Sequence, residues 1–332
     1  MQASTVGEDP EMKLRIIVGW LCLIVSILPV DSYAQSTWPN APIRIITPTP
    51  AGVGTDIFAR IYASNLAKVL NTAVYVENRP GASATIAAAA VAKASPNGLT
   101  VLLSISLPLT TAPALFSKLP YDAGKDFAPV AQLYRGGSFL IANNSFAGSS
   151  LADLVLAAKR KPNSINYASY GPGSTAHLGF ELLQDATGME LVHVPYKTSA
   201  VPDLMRGEVT VGWEPAVSAM PFITDGKIKA LAYTGNPRSP ALPDVAALAE
   251  SYPGLEVFTW VGLWAPAGTP DAILDSLHDA IETINRQPAV VKALSDASSE
   301  PMRATRAQMA IAIENETRSM GRLIKAKNIK LD

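Results

Sequence analysis

From Pro42 onward the chain alternates short β-rich runs with longer amphipathic ones, and no other feature constrains its fold as tightly. "IRIIT" reads as a strand, "TDIFARIYASNLAKVLN" as a helix with Ile57, Ile61, Leu66 and Leu70 on one face, and "AVYVENRPG" as a second strand ending in a turn. The small-residue helix "SATIAAAAVAKAS" breaks at Pro96-Asn97-Gly98 and yields to the strand "LTVLLSIS". After "KLPYDAGKDFAPVAQL" the series restarts with strands "SFLIANN", "INYASY", "ELVHVPY", "VTVGWE" and "KALAYT", separated at first by helical runs. The tail holds "VFTWVGLWAPAGTP" and two more helices, has no sheet of its own, and is expected to return to the first unit. Strands alternating with helices imply parallel pairing and sheets covered on both faces. The expected class is α/β, with two lobes, each a mainly parallel sheet flanked by helices, and a ligand cleft between them. Residues 35–134 with 258–332 would form the first lobe, and residues 135–257 the second.

The stretch "MKLRIIVGWLCLIVSILPVDSYA" has the parts of a secretory signal in order: Lys13 and Arg15, the apolar run Ile16 to Val30, and the small-residue exit Ser32-Tyr33-Ala34. Cleavage after Ala34 would remove residues 1–34, and Met12 is an alternative start. The single cysteine, Cys22, lies inside this run behind Leu21, which is too large for a lipoprotein signal. The mature chain would then have no thiol for a disulfide, a nucleophile or a metal site. A net charge of -1 over 332 residues provides no basic footprint for nucleic acid.

Chemistry-bearing residues gather where strands run into helices. In "PTPAGVGTDIFAR", Gly52 and Gly54 suggest a dinucleotide turn, but Ile57 occupies the place of the third glycine. What survives is a flexible turn into a helix start at Thr55 and Asp56, with Asp56 expected to accept from neighbouring backbone. In "INYASYGPGSTAHLGFELL" a strand stops, a Gly-Pro-Gly turn follows, and a helix opens on Ser174 and Thr175 with His177 one turn in. A helix start presents unpaired N–H groups and a positive dipole end, which suits an anion; Ser174 as a plain cap is the simpler alternative. Ser174, His177 and Glu181 do not form a G-x-S-x-G elbow, and His177, His193 and His278 show no metal spacing. Tyr196 with Lys197, Trp213 with Glu214, and Ser106 sit at other strand ends. In a parallel sheet all of these edges face one crevice.

In order along the chain, "WPNAPIRIITPTPAGVGTDIFARIYASNL", "VENRPGA", "KASPNG", "FSKLPYDAGKDFAPVAQL", "NYASYGPGSTAHL", "VHVPYK", "GKIKALAYTGNPRSPALPDV" and "GLWAPAGTP" resemble the landmarks of the tripartite tricarboxylate transporter substrate-binding proteins, the Bug family. The likeness runs from about Trp38 to the C-terminus. It implies a periplasmic binding protein fold and a monomeric periplasmic receptor that closes on a small organic carboxylate and serves membrane permease subunits. The resemblance implies no enzyme activity and no cofactor, metal or nucleic acid. By motif, Thr49, Pro50, Ala51, Gly52, Gly54, Thr55 and Asp56 would contact ligand from the first lobe. Ser169, Gly171, Gly173, Ser174, Thr175 and His177 would do so from the second, and Ser106, Tyr196, Trp213 and Glu214 complete the candidate set. An exported hydrolase on the same fold and a ligand sensor are the alternatives.

Departures from the family pattern bear on the ligand. The first loop reads Pro48-Thr49-Pro50-Ala51-Gly52-Val53 where P-F-P-P-G-G is usual, Leu107-Pro108-Leu109 replaces polar residues, Ala112 stands at the usual Asn, and Trp213-Glu214-Pro215 holds an edge where Asp or Asn is common. The pocket is therefore expected to be more apolar, with an aromatic able to stack, and poorly suited to citrate. Glu214, if it faces the cleft, would repel a second carboxylate and favour an amine, a hydroxyl or Lys197 as partner. The expected ligand is a monoacid with an apolar or aromatic body.

Overall fold

The computed structural model describes residues 38–52, 54–196, 198–255 and 257–331. The expected leader with Cys22, and also Val53 and Lys197, lie outside the described residues. In chain order the strands are β1 (Ile43–Thr47), β2 (Val74–Asn78), β3 (Thr100–Ile105), β4 (Phe127–Gly136), β5 (Ser138–Ala142), β6 (Asn166–Ser169), β7 (Val192–Pro195), β8 (Val211–Pro215), β9 (Lys229–Tyr233), β10 (Thr259–Pro266) and β11 (Ser299–Pro301). They form two sheets, ordered β11-β4-β10-β3-β1-β2 and β7-β6-β8-β5-β9. Each sheet, with the helices packed on it, is one lobe.

Burial explains where the strands sit. In β1, Ile43, Ile45, Ile46 and Thr47 are all buried, as a strand covered on both faces requires, whereas β2 at the sheet edge leaves Tyr75 exposed. In the second sheet the alternation of β5 sends Leu140 and Ala142 to one apolar cluster with Tyr167, Phe180 and Trp213, and Phe139 and Ile141 to another with Ala168 and Val201.

Most strands of each sheet run in one direction, as expected, but both sheets are mixed. β1 runs parallel to β2 and β3, but β10 is antiparallel to β3 and β4, and β11 is antiparallel to β4. Likewise β6 is parallel to β7 and β8, while β5 is antiparallel to β8 and β9. The reason lies in the crossings. Most strands that follow a helix on the same sheet start at the far edge and end at the cleft, whereas β11, reached after β10 has run to the far edge, starts at the cleft. A strand entering from the other lobe, such as β5 after β4 or the returning β10, starts at the cleft and runs the opposite way.

The longer helices are α1 (Gly54–Val69), α2 (Thr85–Ala92), α3 (Leu151–Arg160), α4 (Thr175–Thr187), α5 (Ala216–Thr224), α6 (Asp271–Asn285), α7 (Pro288–Asp296) and α8 (Arg306–Ala326). Their starts are locally encoded. Ser150 caps α3 in a reciprocal box with Asp153, and Thr305 caps α8 in one with Gln308. α8 lies on the first lobe, where Met309 is fully buried among Ile46, Leu102 and Trp264. Among the described residues no helix is long and apolar enough to cross a membrane.

Candidate functional site

The cleft-facing edges of both sheets enclose a cavity of about 370 Å³. Four helix starts meet it: Thr55 in α1, Ala84 just before α2, Ser174 and Thr175 at α4, and Ala216 to Ser218 at α5. Among the described residues that line it, none carries a charge; the wall is made of hydroxyls, backbone and apolar side chains. An anion held here meets helix dipoles and N–H groups in place of a lysine or arginine.

The α4 start is built by its turn. Gly171 and Gly173 adopt φ of 100° and 74°, conformations that glycine takes without a steric penalty. Ser174 caps the helix, accepting from the His177 amide at 3.3 Å while its hydroxyl donates to the Gly171 carbonyl at 2.7 Å. The amides of Thr175 and Ala176 belong to the first helical turn and have no preceding helical carbonyl to bond, and both residues lie at the cavity wall. His177 is turned inward: its Nδ1 accepts from the Gly173 amide at 3.0 Å, and its ring stacks on His193 at 4.2 Å between centroids. Ser169 holds the other side of this pair, its Oγ lying 2.6 Å from His193 Nε2. Burial lowers the pKa of both imidazoles, that of His193 to about 4, so they are neutral at neutral pH.

His177, Ser169 and Gly171, expected as ligand contacts, therefore shape the turn from behind and do not line the cavity. The same geometry leaves Ser174 without a base, since its hydroxyl donates to a carbonyl and the imidazole Nδ1 is taken by backbone.

On the first lobe, Thr49 and Thr55 reach the cavity, whereas Pro50, Ala51 and Gly52 form an exposed loop away from it. Gly54 opens α1. Asp56 is buried and fully engaged, accepting from the Gly52 amide at 2.8 Å, Arg60 Nε at 2.9 Å and Asn78 Nδ2 at 2.7 Å. Burial opposes its charge, but the bonds from Arg60, Asn78 and Gly52 outweigh that and hold its pKa below the usual range. Asp56 thus fixes the loop, as its expected role as a backbone acceptor requires, and does not line the cavity.

Strand alternation sorts the remaining candidates. Ile105 and Leu107 line the cavity, so Ser106 between them points away, donating to Glu316 Oε1 of α8 at 2.6 Å. Trp213 and Pro215 line it and Glu214 does not, although Tyr170, the hydrogen-bond partner of Glu214, does. Glu214 is 3% exposed and accepts the Tyr170 hydroxyl at 2.5 Å, and burial pushes its carboxyl up to about 7. Lys197, its expected partner, lies outside the described residues. Tyr196 bonds Asp203 at 2.9 Å and is not at the cavity. Trp213 has its Nε1 buried without a hydrogen-bond partner among the described residues.

Several wall residues were not anticipated. Phe58 comes from the second turn of α1, Tyr170 from the residue before the glycine turn, and Tyr134, Thr259, Val261 and Ser299 from the strands at the crossings. Ser83 and Ala84 sit in a run of left-handed residues, Ala82 to Ala84, with φ of 45°, 50° and 71°. Nothing in Ala-Ser-Ala announces that backbone, which is strained for residues with a Cβ. The α5 start was open to inference, because Pro215 ends β8 and Ala216 begins the helix at once.

The family model described as "Tripartite tricarboxylate transporter family receptor" matches residues 58–329. Protein BugT of Bordetella pertussis is 34% identical over 324 residues, which span 96% of this chain and 98% of that protein. Among solved structures, R. palustris Rpa4515 with adipate has a TM-score of 0.82 at 30% identity over 89% of this chain and 100% of that one. MatC from Rhodopseudomonas palustris with bound malate has a TM-score of 0.77 at 30% identity, over 86% of this chain and 100% of that one. The chain belongs to the receptor family of the tripartite tricarboxylate transporters, and is a solute-binding receptor, not an enzyme.

Proposed function

We propose that this protein is a periplasmic receptor that captures a small organic acid with an apolar body and delivers it to the membrane subunits of a tripartite transporter. The observation that carries the ligand class is a cavity met by four helix starts, with no charged side chain among the described residues that line it. A carboxylate can accept from the amides of Thr175 and Ala176 and from the hydroxyl of Thr175 at the α4 start, whose turn Ser174 fixes by donating to the Gly171 carbonyl. The apolar body then lies among Phe58, Leu107 and Trp213, with Trp213 Nε1 available to an acceptor on the ligand. Glu214 lies behind the wall residue Tyr170, so the preference for a monoacid rests on the apolar wall. Adipate and malate in the two similar structures are small dicarboxylic acids, which supports an acid ligand but not the preference for a monoacid. The leader-like first 34 residues support export, and family membership supports the membrane partner.

The test is a thermal-shift screen of the protein lacking residues 1–34 against benzoate, 4-hydroxyphenylacetate, adipate, malate, citrate and uncharged amides of the same acids. A ligand bound only by the folded state raises the melting temperature by mass action. Expected is a shift with an apolar-bodied acid, none with its amide, and loss of the shift in the double variant Ser174→Ala, Thr175→Ala. Equal shifts with acid and amide would overturn the helix-start site, and a shift with citrate alone would overturn the apolar-bodied ligand.

A further inference from the structure

α8 packs on the first lobe for most of its length, with Glu316 accepting from Ser106 at 2.6 Å and from Trp260 Nε1 at 2.6 Å. Its last turn reaches past that lobe. Ile324, only 2% exposed, shares an apolar cluster with Leu115 of the first lobe and Leu178 of α4 in the second, joined by Met320, Leu323 and Leu331. Lys327 Nζ lies 2.6 Å from Asp185 and 3.2 Å from Glu181, both on α4. The Leu331 amide donates to the Leu115 carbonyl at 3.0 Å, which holds the chain end in place beneath these contacts. At the other end of α4, Leu115 fills the space beside Gly173 so closely that a Cβ there would overlap its side chain.

We propose that residues 324–331 are an inter-lobe latch, in which Lys327 and the Ile324–Leu178 contact hold the ligand-binding helix of the second lobe against the first lobe and so set how long the cavity stays closed. Three kinds of contact, ionic, apolar and steric, all end on α4, and the start of that helix forms the cavity wall. Any motion that draws α4 away from the first lobe must break them together. The ion pairs are part-exposed, at 27% for Lys327, 18% for Glu181 and 55% for Asp185, so they are the adjustable part of the latch, and the buried leucines and isoleucine are the constant part. A latch of this kind scales the apparent affinity for any ligand through the fraction of protein that is closed.

The latch needs no ligand to be tested. Small-angle scattering and hydrogen exchange are read on ligand-free wild type, Lys327→Glu and the charge exchange Asp185→Lys, Lys327→Glu. Expected in Lys327→Glu are a larger radius of gyration and exchange of the amides at 175–178 faster by about threefold to tenfold, as for loss of a paired charge plus repulsion. Both should return most of the way in the charge exchange. An unchanged Lys327→Glu protein, or a change that the exchange fails to reverse, would overturn the latch. Lys327→Gln is the milder variant to read if the reversal unfolds the protein, with a smaller shift in the same direction expected and no shift counting against the latch. Failure here leaves the receptor assignment untouched, since no measurement involves an acid.

Discussion

Glu214 is a carboxyl with almost no access to water, held by the Tyr170 hydroxyl, and its pKa is raised to about 7. The folded state binds this proton more tightly than the unfolded chain does. The stability that comes with the proton is therefore complete below the ordinary carboxyl range near 4.5 and is lost as pH rises through about 7. The buried histidines act in the opposite sense: their pKa values are lowered, so their contribution is present above the ordinary 6.5 and is lost as pH falls, for His193 towards about 4. A wild-type pH profile mixes both, and a single variant separates them. Glu214→Gln keeps an acceptor for Tyr170 and cannot ionise. Relative to wild type it should gain about 2 to 3 kcal/mol between roughly pH 5 and pH 8, read from urea unfolding at several pH values. Parallel pH profiles would mean that Glu214 titrates like an ordinary surface carboxyl and that the buried contact is misassigned.

At the scale of elements, α8 supports one wall of the cavity without touching it. Glu316 takes hydrogen bonds from Ser106, Thr110 and Trp260 on the outer side of β3, the turn after it and β10. The neighbours Ile105, Leu107, Thr259 and Val261 line the cavity, and Val261 lies opposite Ile105 in the β10–β3 pairing. Glu316→Ala leaves Ser106 and Trp260 without their acceptor, while Thr110 keeps the Ser106 carbonyl, and should destabilise the protein by about 2 to 4 kcal/mol, with Glu316→Gln recovering roughly half, as measured by urea unfolding. A loss within about 0.5 kcal/mol would show that water replaces the carboxylate at no penalty and that α8 is passive. These elements also show what could be read in the sequence. The alternation of strands and helices, the glycine turn before Ser174 and the Asp56 loop are local patterns, legible from the residues that make them. Strand direction at the crossings is not local, since "VFTWVGLWAP" reads the same whether it enters a sheet from the far edge or from the cleft. Tyr134, Thr259 and Ser299 were invisible for that reason. Ser106 and Glu214 fall outside the wall for a smaller one: each lies next to wall residues, and a one-residue change of register exchanges the two faces of a strand.

On the scale of the whole molecule, both sheets turn their cleft edges to one cavity with no charged side chain among its described lining residues, and the whole chain carries a net charge of only -1. Asp56, a buried acid on the first lobe, is paired with Arg60, and burial raises the pKa of Glu214 on the second lobe to about 7, so that it is only partly ionised near neutral pH. No long-range field is available to steer an anion, and the groups that hold it are partial charges at helix ends, effective only at contact and out of reach of mobile ions once the lobes close. Affinity for a carboxylate should accordingly be nearly independent of salt. Between about 50 mM and about 500 mM sodium chloride, where the Debye length falls from more than 10 Å to about 4 Å, the dissociation constant from calorimetry should change by less than about threefold. The residual dependence should come from the part-exposed Lys327 pairs, which salt weakens, and should shrink in Lys327→Gln. A tenfold or larger loss of affinity across that range in both proteins would show that a full side-chain charge enters the cavity when the lobes close, and recognition by helix ends alone would then be wrong.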